Sequence, residues 1–269
     1  MEIDNIELTK EKETLFIPLY AKALDYQSKR PALNDKTAYD IINSSNYDFS
    51  KYKSGNKNIL IIRPKHIDNW IYDFIKKYHN VTVLNIGCGM DARINRINPQ
   101  SSVNWYDVDF PEVIALRKNY FPERDRYYTI GTSITEDNWY RKAPNNYPTI
   151  IVAEGVFEYL TEDEIKTLFK RLFDYFPKGE IIFDIISSFA ANAGKKKLKE
   201  TTGAEHKWAV DNTAEIDKYN RKLKRINDLS IFESPCVKNM NMEIKIFCKI
   251  ASAINKYKNM LRLLRYEYS

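Results

Sequence analysis

The sequence predicts an α/β fold in which one mostly parallel sheet carries helices on both faces. Helical spacing of apolar residues over residues 1–80 gives way to a continuous apolar run at 81–87 (VTVLNIG). Four more strand-like runs follow, each separated from the next by enough chain for a helix. Such alternation favours parallel strands joined by right-handed crossovers. The 269 residues contain no linker and no internal repeat, so we expect a single domain.

The elements follow in chain order. Segments with helical spacing before the first strand are 14–24, 38–43 and 67–78. The later strand runs are 103–109, 126–134, 149–157 and 179–187. A helix start is predicted at Thr161, which precedes three acidic residues and then the apolar positions Ile165 and Leu168. In the C-terminal third we expect a helix at 213–223, a short strand at 229–232, a basic amphipathic helix at 244–261 and a closing edge strand at 263–268.

The composition argues against several classes of protein. An apolar fraction of 43% with 13% aromatic residues supports a full core rather than a disordered chain. No stretch approaches the ~20 apolar residues that cross a bilayer, and the first thirty residues lack a signal-peptide pattern. Cys88, Cys236 and Cys248 are far apart, which argues against disulfides and structural zinc, and the three histidines have no metal-ligand spacing. We therefore expect a cytoplasmic protein that binds no metal.

The positive charges do not single out a partner. The net charge is +6, but the basic residues are scattered along the chain among nearly as many acidic ones. The one dense basic run, 195–199, has the character of a solvated face. The basic helix expected at 244–261 could lie on a membrane, but packing on the sheet is favoured. We expect no nucleic-acid partner and no membrane partner, and the sequence leaves the oligomeric state open.

The clearest chemical signal lies where the first two strands end. Gly87 and Gly89 follow the first strand, where the backbone must turn sharply and approach a ligand closely. Asp109 ends the second strand, 20 residues after Gly89, at the position of an acid that accepts hydrogen bonds from ribose hydroxyls. Asp107 points to the same side of the strand, but Asp109 is the preferred ribose ligand. The pattern predicts a nucleotide-type pocket at the carboxyl edge of the sheet.

Two classes of cofactor compete for this pocket. Ala92 completes the dinucleotide fingerprint G-x-G-x-x-G/A, which keeps an NAD(P)-dependent oxidoreductase as an alternative. Against it, some eighty residues precede the first strand, and Glu154 places another acid on the same edge. Acids repel a pyrophosphate but attract a sulfonium cation that also carries an ammonium group. The acid-lined edge therefore favours S-adenosylmethionine.

Seven segments in register resemble one known family. They are 14–24 (TLFIPLYAKAL), Arg63, 83–93 (VLNIGCGMDAR), 105–118 (WYDVDFPEVIALRK), 131–134 (GTSI), 150–160 (IIVAEGVFEYL) and 179–187 (GEIIFDIIS). Together they resemble the leucine carboxyl methyltransferase family, and within it the bacterial tetracenomycin-methyltransferase-like branch. The resemblance implies a Rossmann-like class I methyltransferase sheet with an antiparallel C-terminal strand. It also implies a helical extension, 1–80, packed as a cofactor lid or acceptor side on a core at 81–269.

The resemblance implies eight cofactor contacts, divided between the two ends of S-adenosylmethionine. The contacts at the amino-acid end are Lys22, Arg63 and Glu154, above the turn formed by Gly87 and Gly89. The contacts at the nucleoside end are Asp109 for the ribose, with Ser133 and Ile134 beside the adenine. The product of the implied methyl transfer is S-adenosylhomocysteine.

The acceptor site is less well defined, because many relatives carry an apolar residue where this chain has Glu158. The implied acceptor is an oxygen of a small, polyketide-like molecule, with a protein C-terminus as the less favoured choice. A carboxylate needs only positioning, by donors such as Arg63, Tyr20 or Tyr159, whereas a hydroxyl is helped by a base such as Glu158 or a histidine. The lack of an obvious catalytic dyad mildly favours the carboxylate. A non-catalytic cofactor-binding relative remains a second alternative.

Overall fold

The computed structural model describes residues 10–45, 47–52 and 57–269 and contains a seven-stranded sheet. Its strands are β1 (Val81–Ile86), β2 (Val103–Asp109), β3 (Tyr127–Gly131), β4 (Thr149–Ala153), β5 (Gly179–Ile186), β6 (Leu223–Ser230) and β7 (Leu261–Tyr268). The strand order is β3-β2-β1-β4-β5-β7-β6. Strands β1 to β5 are parallel, whereas β7 is antiparallel to both β5 and β6. The predicted parallel sheet with an antiparallel C-terminal strand is confirmed.

Helices surround this sheet. The α-helices are α1 (Phe16–Tyr26), α2 (Lys36–Ser44), α3 (Ile59–Lys77), α4 (Arg93–Ile97), α5 (Pro111–Arg117), α6 (Glu162–Tyr175), α7 (Ser188–Thr202), α8 (Met242–Ala253) and α9 (Asn255–Lys258). Short 3-10 helices span Lys10–Leu15, Phe49–Tyr52, Trp139–Lys142, Phe157–Tyr159, Thr213–Lys218, Ile231–Glu233 and Pro235–Asn239. Within the described ranges, none of these helices has the length and apolar character that a bilayer crossing requires.

Two apolar cores lie on opposite faces of the sheet because the central strands are buried on both sides. Along β1, Val81 and Val83 face the core that holds α3, while Leu84 and Ile86 face the core that holds α6. Continuous apolar runs are typical of such strands. Helix α6 begins at the predicted position, where Thr161 forms a capping box with its following turn.

The topology places a binding edge at one end of the sheet. From β1 the chain proceeds outwards to β2 and β3, and then returns to add β4 and β5 on the other side. The strand order reverses between β1 and β4, so the carboxyl ends of these strands flank a crevice. Strands β3 and β4 end earlier than the predicted runs, at Gly131 and Ala153, and the residues that follow form loops beside this crevice.

The C-terminal third differs from the predictions in three respects. The expected helix at 213–223 is a 3-10 helix, Thr213–Lys218, and β6 begins at Leu223 rather than 229. This strand lies at the edge of the sheet with Lys224, Ile226 and Asn227 exposed, so it carries no continuous apolar run. Strand β7 is not the edge strand: it lies between β5 and β6. The single helix expected at 244–261 is broken at Ile254, whose extended backbone lets the chain turn back into β7.

Candidate active site

A cavity of about 470 Å³ opens at the carboxyl ends of β1, β2 and β4. All eight predicted cofactor contacts line it: Lys22, Arg63, Gly87, Gly89, Asp109, Ser133, Ile134 and Glu154. The acceptor-side candidates Glu158 and Tyr159 line it as well. Tyr20 is not among the described residues that form the cavity wall; its ring stacks on Phe49 at a centroid distance of 6.1 Å. The structure therefore brings together ten of the eleven predicted site residues.

The loop after β1 forms a turn whose backbone conformation favours glycine. Gly87 has φ +61° and Gly89 has φ +47°, in the left-handed region that residues with a Cβ rarely adopt. A Cβ on Gly87 would clash with the side chain of Val156. The loop is also tied to the neighbouring strand, since Gly87 N donates to Val108 O at 2.7 Å. The backbone can therefore form the floor of the cavity.

Substituting Gly87→Ala is expected to destabilise the protein, because backbone strain costs about 1–3 kcal/mol and forcing a methyl group into a packed site costs about 1–3 kcal/mol. Thermal unfolding measures the loss. The matched control is Gly194→Ala on α7, where a Cβ has nothing within 4 Å and should stabilise the helix by about 0.5–1 kcal/mol. A Gly87→Ala protein as stable as the wild type would show that this turn is not strained.

The carboxylate of Asp109 lies at the end of β2 and faces the glycine turn. Oδ2 accepts from the backbone N–H of Gly89 at 2.7 Å, and Oδ1 accepts from the N–H of Phe110 at 2.7 Å. Burial raises the pKa of Asp109 to about 6, although these two N–H groups favour the charged form. A carboxylate offers about four acceptor positions, so two remain for a ligand in the cavity.

Asp107 has a different environment from Asp109, although both lie on β2. It is fully buried and forms an ion pair with Arg117, which also donates to the backbone oxygen of Gly89 at 2.8 Å. It further accepts hydrogen bonds from the Trp105 ring at 2.9 Å and from the Tyr127 hydroxyl at 2.8 Å. Its acceptor positions are occupied inside the protein, which makes Asp107 a structural residue.

Arg63, on α3, joins the helix to the carboxyl ends of two strands. Its Nε donates to Glu154 Oε1 at 3.0 Å, and its Nη1 donates to Asp184 Oδ2 at 2.9 Å. Burial alone would lower the pKa of Arg63, but the charges of Asp184 and Glu154 raise it above its usual value. Nη2 has no hydrogen bond to any residue in the described ranges and lies 3.3 Å from the Cβ position of Gly155 in the cavity wall. This nitrogen is the donor available to an anionic group.

A buried network of ion pairs extends from Glu154. Its Oε2 is paired with Arg93, the first residue of α4, whose Nε is 2.7 Å from Asp68 Oδ1. Lys22 is paired with Asp91 in the cavity wall. Burial would raise the pKa of Asp91, but nearby cations, Lys22 among them, hold it well below the usual value. Lys22 therefore contributes charge to the wall while already bonded to a carboxylate.

Asp184 and Arg93 are site residues that the sequence analysis missed. Asp184 was visible as one of two acids in β5, and Arg93 as a cation directly after the glycine turn. Both signals are weak, because a single charged residue has no spacing to interpret. Only the packing of α3 against β5 shows that Asp184 opposes Arg63.

Glu158 and Tyr159 lie in the 3-10 helix Phe157–Tyr159 on the acceptor side of the cavity. Glu158 is 8% exposed, and its Oε2 has no hydrogen-bond partner in the part of the chain that the structure describes. Burial, followed by the charge of Asp184, raises its pKa to about 8. None of the three histidines is among the described residues lining the cavity, although the His206 ring lies 5.7 Å from the Tyr159 ring.

The donor set of this cavity fits S-adenosylmethionine. Asp109 offers free acceptor positions for ribose hydroxyls, Arg63 offers a free donor for a carboxylate, and the glycine turn allows close approach of the ligand. Asp91, Asp109 and Glu154 lie in a wall that also holds Lys22, Arg63 and Arg93, and this mixture of charges suits a ligand that carries both an ammonium group and a carboxylate. Within the described ranges, no group of three or more His, Cys, Asp or Glu side chains could hold a metal ion.

Sequence comparisons identify relatives along almost the whole chain. The profile of the family named leucine carboxyl methyltransferase matches residues 9–173. The chain is 32% identical over 268 residues to the tetracenomycin polyketide synthesis O-methyltransferase TcmP of Streptomyces glaucescens, covering 98% of this chain and 99% of that protein. It is 30% identical over 243 residues to the S-adenosyl-L-methionine-dependent methyltransferase dpfgK of Gibberella zeae, covering 81% of this chain and 82% of that protein.

The fold also matches a solved structure. A provisionally assigned methyltransferase from Thermobifida fusca superposes with a TM-score of 0.67 and 11% identity, covering 98% of this chain and 97% of that one. At such low identity the match shows the fold, which is the class I methyltransferase fold implied by the sequence. The oxidoreductase alternative is not favoured by these comparisons. The chain is an S-adenosylmethionine-dependent methyltransferase and belongs to the leucine carboxyl methyltransferase family.

Proposed function

We propose that this enzyme transfers the methyl group of S-adenosylmethionine to an oxygen atom of a small-molecule acceptor, through its hydroxyl or carboxylate group. The observation that carries the proposal is the single cavity that joins the glycine turn, Asp109 and Arg63 to Glu158 and Tyr159. The name of the relative TcmP, an O-methyltransferase of polyketide synthesis, supports an oxygen acceptor on a polyketide-like molecule. A protein C-terminus is the less favoured acceptor.

The chain's own residues would hold the two ends of the cofactor. Asp109 accepts hydrogen bonds from ribose hydroxyls, with Ser133 and Ile134 beside the adenine. At the other end, Arg63 Nη2 donates to the carboxylate, while Glu154 accepts from the ammonium group. The roles of Asp109 and Arg63 follow from their free acceptor and donor positions, and those of Glu154, Ser133 and Ile134 from the family resemblance and their place in the cavity wall.

The catalytic contribution of the protein is mainly positioning. S-adenosylmethionine, when bound, supplies a methyl group on a sulfonium sulfur whose leaving group is a neutral thioether. Alignment of an acceptor oxygen with such a group can provide as much as ~7–11 kcal/mol of the acceleration. Leu15, Pro18 and Leu19 of the N-terminal extension form part of the cavity wall. We propose on this basis that the N-terminal extension, residues 1–80, is the lid and acceptor side of the core at 81–269.

The compartment and partners are part of the same proposal. Cys88, Cys236 and Cys248 are buried free thiols, a state typical of proteins in a reducing environment. We place the reaction in the cytoplasm for this reason. The lysines of the 195–199 run are exposed, and one of them, Lys199, is paired with Glu205 at 2.7 Å. That nucleic acid is not a partner stays a prediction.

Thermal unfolding in the presence of nucleotides tests the cofactor assignment. S-adenosylhomocysteine at about 100 times its dissociation constant should stabilise the folded state by about 2.7 kcal/mol, which raises Tm by about 5 °C in a protein of this size. NAD at the same concentration should leave Tm unchanged. Stabilisation by NAD and not by S-adenosylhomocysteine would overturn the assignment.

A further inference from the structure

We propose that helix α8 binds the anionic surface of a lipid bilayer, with an outward row of apolar side chains inserted among the headgroups and the neighbouring lysines close to the phosphates. The inference concerns a surface outside the cavity and does not depend on which acceptor is methylated. It revises the expectation from the sequence that the protein has no membrane partner.

The inner face of α8 packs against the protein. Cys248 and Ala251 are buried, and Ile244 packs against the core that holds α3. Positions 244, 248 and 251 have the spacing of a single helix face. The helix is therefore anchored to the protein by this one face.

The opposite face of α8 is also apolar. Met242, Ile246 and Ile250 are 67%, 53% and 58% exposed, and their spacing of four residues places them in one row along the helix. At 3.6 residues per turn, Ile246 lies about 160° around the helix from the buried Cys248. A helix that is apolar all round is ordinarily buried all round. The row therefore indicates a surface that a partner covers.

The exposed large apolar side chains are concentrated in this segment. Six of the nine such side chains in the described residues lie between positions 242 and 257: Met242, Ile246, Phe247, Ile250, Ile254 and Tyr257. Single exposed apolar residues are common, whereas a contiguous patch marks a site of interaction with a protein or a membrane.

The charges around the row point to an anionic partner. Residues 238–258 contain five lysines and a single acid, Glu243. Lys245 and Lys249 flank the row on one side, and Lys249 and Lys256 are exposed. The long stem of a lysine lets its ammonium group reach a headgroup phosphate while the apolar side chains beside it enter the acyl boundary. An anionic leaflet attracts a basic amphipathic helix of this kind.

A second copy of this chain fits the surface less well. The interface of a two-fold dimer is formed by the same surface of both copies, so one excess of lysines would meet another. In an antiparallel pair of α8 helices, Lys245 and Lys249 of one copy would face the same two residues of the other, and like charges repel. Glu243 lies on the opposite flank and cannot offset them. The observations therefore favour an anionic lipid surface.

The segment that contains the row ends at the edge of the sheet that carries the cavity. Helix α9 leads into β7, whose first residue, Leu261, pairs with Ile186 at the carboxyl end of β5. The Tyr257 ring also lies 5.9 Å from the ring of Phe189 at the start of α7. A bilayer that covers the row would therefore bind beside the cofactor site and not at the far end of the sheet.

Sedimentation with vesicles tests the proposal on the full-length protein. We expect it to bind vesicles of phosphatidylcholine that contain about 30% phosphatidylglycerol, and to bind pure phosphatidylcholine vesicles at least about tenfold more weakly. Raising NaCl from about 0.05 M to about 0.5 M should weaken binding to the anionic vesicles about tenfold, because salt screens the lysines. Absence of binding to the anionic vesicles, or equal binding to both kinds, would overturn the proposal.

A pair of serine substitutions tests the apolar row. Ile246→Ser together with Ile250→Ser should lower the vesicle partition coefficient about 30-fold, because each change removes an apolar side chain that the bilayer would bury. The matched control is Ile226→Ser, which removes an exposed isoleucine of β6. All three positions are exposed, so thermal unfolding should stay close to that of the wild type. If the control loses as much binding as the double variant, the row is not the contact and the proposal fails.

A pair of glutamine substitutions tests the charge separately. Lys245→Gln together with Lys249→Gln should lower partition into the anionic vesicles about tenfold and leave partition into neutral vesicles unchanged. Lys195→Gln together with Lys196→Gln is the matched control, because it removes the same charge from exposed lysines of α7. Equal losses in the two double variants would show that only the net charge matters, and α8 would not be the binding surface.

Sedimentation velocity without vesicles tests the second copy directly. The wild type and the Ile246→Ser, Ile250→Ser variant should have the same sedimentation coefficient. A dimer that these substitutions dissociate would show that another copy covers the row, which contradicts the proposal. None of the substituted residues lines the cavity, so binding of S-adenosylhomocysteine should be unchanged in every variant. Failure of this inference would therefore leave the methyltransferase function intact.

Discussion

Replacing Arg63 with methionine is expected to lower the free energy of unfolding by about 3–5 kcal/mol and to remove measurable binding of S-adenosylhomocysteine. Asp184 is fully buried and pairs with Arg63 Nη1 at 2.9 Å, so the substitution leaves a carboxylate in the core without its partner. Glu154 keeps its ion pair with Arg93 but loses the one with Arg63. The same change removes the nitrogen that is free to hold the cofactor carboxylate.

Chemical denaturation and ligand titration measure the two effects separately. Lys76→Met is the matched control, because Lys76 lies on the same helix but is exposed, and its loss should change neither quantity appreciably. The titration is made at a temperature where both variants are folded. Normal affinity in a destabilised Arg63→Met protein would show that this arginine only supports the fold.

The second large effect is expected from a pair of substitutions on β2 that separates binding from stability. Asp109→Asn should weaken S-adenosylhomocysteine binding about 100-fold, since charged hydrogen bonds to two ribose hydroxyls contribute about 1.5–3 kcal/mol each and are only partly retained by an amide. Asp107→Asn should mainly destabilise the fold, by about 3–5 kcal/mol, because it leaves Arg117 buried without a carboxylate.

The pH dependence of Asp109 adds a further check. Burial raises the pKa of Asp109 to about 6 in the folded state. Between about pH 4 and about pH 6 the folded state therefore still holds this proton, whereas the unfolded state has released it. Ionisation of Asp109 therefore costs stability as the pH rises through that window, and Asp109→Asn should be at least as stable as the wild type at pH 7. Affinity for S-adenosylhomocysteine should fall as the pH drops through about 6 in the wild type only.

Isothermal titration and thermal unfolding of the two aspartate variants decide the assignment. An Asp109→Asn protein that binds S-adenosylhomocysteine like the wild type at pH 7 would remove the ribose role. Loss of binding in Asp107→Asn without loss of stability would assign the ribose role to Asp107 instead of Asp109.

Most of the parallel half of the fold could be predicted because β1, β2, β4 and β5 are buried on both faces. A strand such as β1 leaves a continuous apolar run that ends at Gly87, and the acids at 109 and 154 mark the ends of β2 and β4, the two strands that flank β1. The carboxyl ends of parallel strands share one edge, so these positions had to converge. Strand β6 could not be predicted in the same way, since it lies at the edge of the sheet and its polar and charged residues interrupt any apolar run.

The acceptor side could be predicted only in part. With 19 tyrosines in the chain, nothing in the sequence distinguishes Tyr159 in the cavity wall from Tyr20, which packs on Phe49 instead. Glu158 was visible as a departure from the family pattern, but its burial and its unpartnered oxygen depend on tertiary packing.

A crystal structure of the protein with bound S-adenosylhomocysteine addresses the cofactor assignment without reference to any acceptor. We expect the ribose hydroxyls within hydrogen-bond distance of Asp109, the ligand carboxylate on Arg63 Nη2, and the sulfur facing Glu158. A ligand bound outside the 470 Å³ cavity, or inside it with no contact to Asp109 and Arg63, would contradict the assignment.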